Sequence, residues 1–144
     1  MKKIESFAIA LQKRQNKKTI SYRIYTGDSY GLDSIDERIL KIIPDSLKEF
    51  YFMFNGLLIE EPRHLNILKP INLSLIDNRY LIFAVFNHDV MVCFDLKEKN
   101  SAGEWNIVNY DTKFLITKTW ASFLANKVWA WIDRDREIWA EEVF

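Results

Sequence analysis

The chain has 144 residues, 49% hydrophobic and 15% aromatic, which is enough for one well-filled core. Twenty basic residues balance twenty acidic ones, so no overall positive field draws it to nucleic acid or to an anionic membrane. Four glycines and three prolines exclude a collagen-like or low-complexity chain, and a single cysteine excludes an internal disulfide.

Residues 3–15 place Ile4, Phe7, Ala8 and Leu11 at spacings of three and four, which predicts a short amphipathic helix. Glu5, Gln12, Lys13 and Arg14 interrupt the apolar run that a secretory leader needs. No later stretch approaches the ~18 apolar residues that cross a bilayer, so the expected location is the cytoplasm, with no membrane contact. From Thr19 to Thr26 the period changes: Ile20, Tyr22 and Ile24 alternate with polar neighbours, as in a half-buried strand. Residues 27–31 are a loop of turn formers.

Two consecutive helices follow. Asp33 or Ser34 is placed to cap the first, with Glu37 where a capping box has its acid. Ile35, Ile39 and Ile42 or Ile43 form its apolar face. Pro44 ends that helix and is expected at the first position of the next. There Leu47, Phe50, Tyr51 and Phe54 recur at helical spacing as a core stripe, and Asn55-Gly56 supplies a left-handed stop.

From Leu57 onward the period is two. Strands are predicted at 57–59, 65–68, 80–86, 90–96, 105–110 and 114–116. Tyr80–Phe86 is apolar at both parities and is therefore expected in the middle of a sheet, covered on both faces. Asn87-His88-Asp89 turns it into its neighbour, and 97–104 form a longer polar turn. Trp120, Phe123, Leu124, Val128 and Trp131 predict a last helix starting near Lys118 or Thr119. A charged, aromatic tail runs from Ile132 to Phe144. With no repeat or linker, one α+β domain spanning 1–144 is expected.

The residues offer little chemistry. His64 and His88 are 24 positions apart and Cys93 is alone, so no metal-ligand spacing is present. Cys93, between Val92 and Phe94, reads as a small buried hydrophobe. Glycines at 27, 31, 56 and 103 spell no phosphate-binding loop. Glu60 and Glu61, adjacent on a strand, point to opposite faces and cannot share a proton. A non-enzymatic protein without metal or cofactor is the expectation.

Surface charge is more informative. Residues 1–23 hold seven cations against one acid; 28–61 hold eight acids against three cations; 129–144 hold five acids against two cations. Acidic stretches without visible chemistry point to a protein partner rather than to nucleic acid. The candidate contact residues are Asp33, Asp36, Glu37, Glu60 and Glu61 in one stretch and Asp133, Asp135, Glu137, Glu141 and Glu142 in the other. Trp129 and Trp139 join them, because Trp129 lies off the face that carries Trp131 and tryptophan is enriched at interface hot spots. A tail folded back over these rings is the competing expectation.

Three stretches together resemble the SUKH superfamily of Smi/Knr-type domains. Ile43-Pro44-Asp45-Ser46-Leu47-Lys48-Glu49-Phe50-Tyr51-Phe52-Met53-Phe54-Asn55-Gly56 is similar to the family's helix and Asn-Gly stop. Leu81–Ala84 with Val92-Cys93-Phe94-Asp95-Leu96 resembles its paired strands. Ile107-Val108 followed by Trp120–Ala125 resembles its last strand and helix. The match covers about residues 33–128; Leu57 stands where the family often has a second glycine, and the turn at 87–89 lacks one. The resemblance implies an antiparallel-rich sheet with helices packed against it. It also implies a bacterial immunity protein that binds and neutralises a cognate toxin domain, often a nuclease; the sequence does not set the oligomeric state, and a monomer is the simplest expectation. In this pattern Asn55, Gly56 and Asp95 are structural. The alternative is a scaffold or regulatory module acting on an endogenous protein, and a pocket gathering a histidine with carboxylates would instead favour a small-molecule enzyme.

Overall fold

A computed structural model describes residues 3–24 and 35–140 of the chain. Helix α1 (Lys3–Asn16) buries Ile4, Phe7 and Leu11, the stripe its spacing predicts. Strand β1 (Ser21–Ile24) lies within the predicted segment; residues 25–34, with the expected loop and the Asp33 or Ser34 cap, lie outside the described residues.

Helix α2 (Glu37–Ile42) starts later than a Ser34 cap would place it. Asp36 is its N-cap, and its carboxylate accepts from the Arg38 N–H at 2.9 Å. Pro44 is the N-cap of α3 (Asp45–Met53) rather than its first residue. Leu47, Phe50, Tyr51 and Phe54 are buried as the stripe requires. Gly56, at φ 114°, then turns the chain into the sheet.

Strands β2 (Leu57–Glu61), β3 (Leu65–Ile67), β4 (Ser74–Ile76), β5 (Tyr80–Phe86), β6 (Val90–Lys99), β7 (Trp105–Asn109) and β8 (Leu115–Thr117) complete an eight-stranded sheet ordered β1-β2-β3-β5-β6-β7-β8. Every pairing is antiparallel. β4 follows a 3-10 turn at Pro70–Asn72 and pairs with Tyr80–Ile82, the part of β5 that β3 leaves free. Three residues are too short a run to show a period, so β4 had no signature in the sequence.

Alternation along the strands sorts the core. Leu81, Phe83, Phe86, Val92, Phe94 and Ile107 join the helices in the main cluster, whereas Ile82, Cys93 and Val108 form a small cluster on the other face. β5 is thus buried on both sides, but helices supply the cover on one only. The last helix is capped by Thr119, whose hydroxyl accepts from the Ser122 N–H. It runs through α4 (Trp120–Ser122), a π-helical stretch (Phe123–Lys127) and α5 (Val128–Arg134). Asp135, in the left-handed conformation, ends it. The described residues form one α+β domain, and none of their helices is long and apolar enough to cross a membrane.

Candidate functional site

Of the side chains expected to meet a partner, Asp33, Glu141 and Glu142 lie outside the described residues. Most of the others are already engaged within the chain. Four of the acids are engaged by the chain's own arginines. Asp36 is paired with Arg38 at 3.2 Å, and the hydrogen bonds from Arg38 hold its carboxyl below the ordinary carboxylate value. Glu60 meets Arg23 at 2.9 Å. Asp133 takes Arg14 in a two-pronged contact, Nε at 3.1 Å and Nη2 at 2.6 Å. Asp135 meets Arg63 at 3.0 Å. Arg14 and Arg23 come from the basic first segment, so the charge separation along the chain is partly cancelled in space. Glu37, Glu61 and Glu137 are exposed and have no ion pair among the described residues.

Both candidate tryptophans are covered. Trp129 is 8% exposed, stacked on Phe7 of α1 at 5.3 Å, with the Arg14 guanidinium 3.7 Å from its ring centroid. It does lie off the face of Trp131, but the helix is packed on both of these faces, so being off one face does not expose it. Trp139 is 7% exposed, 4.7 Å from Trp131 and 5.7 Å from Phe86. The buried Asn109 amide donates to the Trp139 carbonyl at 3.1 Å and fastens the tail against β7. A tail folded back, the competing expectation, describes Trp139, whereas Trp129 is covered by α1 instead.

The turn between β2 and β3 ties these elements together. Arg63 donates to the Ile132 carbonyl as well as pairing with Asp135. The His64 carbonyl accepts from the Trp131 indole at 3.0 Å and from the Asn87 N–H at 3.0 Å. Because Leu65 pairs with Phe86, His64 and His88 come together and stack, with ring centroids 3.7 Å apart. Burial, and then His88, keep the His64 imidazole below its ordinary pKa, while Glu60 acts in the other direction. Among the described residues no three His, Cys, Asp or Glu side chains converge as metal ligands. The Cys93 thiol is buried, lies 3.7 Å from the Val108 carbonyl, and has its pKa pushed up to about 12 by burial, which favours the protonated thiol.

Asp95 is held by Arg79 through two hydrogen bonds of 2.8 Å and accepts from the Lys97 N–H at 3.1 Å. Arg79 is the main cause that keeps its carboxyl below the usual range. These bonds tie the Arg79 side chain, next to β5, to β6.

A surface not singled out by the sequence lies between α1 and α3. Phe52 is 79% exposed and Met53 45%, beside a hollow of about 180 Å³ lined by Ile4, Glu5, Glu49, Phe52 and Met53. The one available signal was that two large apolar residues fall off the buried stripe of α3.

Scans against protein-family models, curated proteins and solved structures return no match to this chain.

Proposed function

We propose that the protein is a non-enzymatic immunity protein of SUKH type, acting in the cytoplasm by binding a cognate bacterial toxin domain and blocking its working surface. One observation carries the reading. The three stretches that resemble the family meet around a single ring. Trp120, from the third, packs against Phe50 of the first at 5.9 Å and against Phe83 and Phe94 of the second at 5.6 and 5.8 Å. The resemblance requires these three stretches to pack together, and the shared cluster supports it to that extent. Additional support comes from Gly56, whose positive φ suits the Asn-Gly stop, and from Asp95, fixed by Arg79.

The test is co-expression with a toxin domain encoded beside the gene. Restored growth of the toxin-expressing host, together with co-purification of the two chains, is the expected result. A toxin that kills equally with and without this chain, and that does not co-purify with it, would sink the reading.

A further inference from the structure

We propose that the face shared by α1 and α3 is the docking site, and that the partner meets it with a basic side chain next to an apolar one. The inference rests on the partner-binding reading above and names the chemistry of that partner.

The face is built from two helices. Along α3, Leu47, Phe50, Tyr51 and Phe54 turn inward, which leaves Phe52 and Met53 on the outside. Glu49 precedes them by three and four positions, so it shares their side of the helix. On α1, Glu5 lines the same hollow as these three residues, and Ile9, 42% exposed, follows Glu5 by one helical turn. An exposed phenylalanine beside a methionine and a small hollow is the side-chain mix enriched at the centre of interfaces.

Charge decides the occupant. Neither Glu5 nor Glu49 has an ion pair among the described residues, in contrast to Asp36, Glu60, Asp133 and Asp135. A second copy of this chain docked face to face would bring the carboxylates of both copies into one interface, with no cation lining the hollow to offset them. A basic partner instead gains a complementary rim around an apolar centre, and complementary rims speed association and exclude wrong partners. Basic surfaces are what nuclease toxins use to hold nucleic acid.

The experiment titrates the purified toxin domain that co-purifies with this chain against wild-type protein and the variants Phe52→Ala, Glu49→Lys and Glu137→Lys. Melting temperature serves as the control for folding. Phe52→Ala is expected to weaken binding by roughly tenfold or more. Glu49→Lys should weaken it too and reduce its salt dependence, while Glu137→Lys stays near wild type and all variants melt together. Wild-type affinity in Phe52→Ala and Glu49→Lys, or a loss confined to Glu137→Lys, would overturn the docking site while wild-type binding keeps the immunity reading intact. Self-association of the wild-type chain that Phe52→Ala abolishes would make a second copy the occupant and overturn the basic partner. Absence of wild-type binding removes the immunity reading and this inference together.

Discussion

Two regions of this molecule combine aromatic rings with acids, and they use them in opposite ways. At the last helix, Trp129, Trp131 and Trp139 are buried, and Asp133 and Asp135 are clamped by Arg14 and Arg63. On the α1–α3 face, Phe52 stands in solvent and Glu5 and Glu49 have no ion pair among the described residues. Local composition is similar; what differs is whether a partner arrives from elsewhere in the chain. Arg14 reaches Asp133 across 119 positions, and Arg63 reaches Ile132 across 69. Aromatic and charge content therefore say which interactions are available, and the tertiary fold decides which are used up internally.

The largest test of that contrast is Trp131→Ala. Removing this ring empties a packed site against Trp139 and leaves the His64 carbonyl without its indole donor. A loss of about 3–5 kcal/mol in unfolding free energy is expected, read from urea denaturation. A loss below about 1 kcal/mol would show that the last helix is not part of the cooperative core.

The arginine clamps come next. Asp133→Asn is expected to cost about 1 kcal/mol or less, because the pair is partly exposed to solvent. Asp135→Asn should cost less still, since its carboxylate is two-thirds exposed. Both effects should shrink in high salt, as measured by melting at two ionic strengths. An unchanged stability in Asp133→Asn at low salt would mean that the Arg14 contact with the Trp129 ring, and not the ion pair, fixes that side chain.

The same division governs what was legible in the sequence. Helices α1 and α3 follow from their apolar periods, because burial on one side imposes that period directly, and strands β5 to β7 follow from short apolar runs covered on both faces. The start of α2 was misplaced because several acids and serines precede it, and only the Asp36 side chain bonding to the Arg38 N–H settles which one caps. The π-helical stretch at Phe123–Lys127 has no composition signature. Among the candidate contact residues, the acids were legible as charge but not as ion pairs, since Arg14, Arg23 and Arg63 are brought to them by tertiary packing and sheet register. His64 and His88 were each read as solitary; the β3–β5 register makes them a pair.

That pair gives a smaller effect with a definite sign. Burial and His88 lower the His64 pKa in the folded protein from its ordinary 6.5, so the unfolded chain takes up the proton first as pH falls. The His64 contribution to stability is therefore full above about pH 6.5 and is lost as pH drops below it. Asp95, lowered from 3.8 by Arg79, loses its contribution only in a more acidic window, as pH falls through its folded value. Urea midpoints measured between pH 7.5 and 5 should fall towards acid. His88→Asn, which suits the left-handed φ of 69° at that position, should flatten part of the slope and leave the part due to burial. A stability that rises towards pH 5 would contradict this assignment.

The smallest expected change carries the other half of the comparison. Phe52→Ala removes a large ring, as Trp131→Ala does, yet most of the Phe52 side chain is already in water and little buried area is lost. Its unfolding free energy should stay within about 0.5 kcal/mol of wild type, since surface substitutions away from caps, ion pairs and the core rarely do more. Helix propensity works in the same direction, because alanine is the better helix former at an exposed position of α3. A loss of 2 kcal/mol or more, on the order of a core truncation, would mean that Phe52 is covered in solution by part of this chain. The α1–α3 face would then resemble the last helix, with its aromatic side chain used internally and unavailable to a partner.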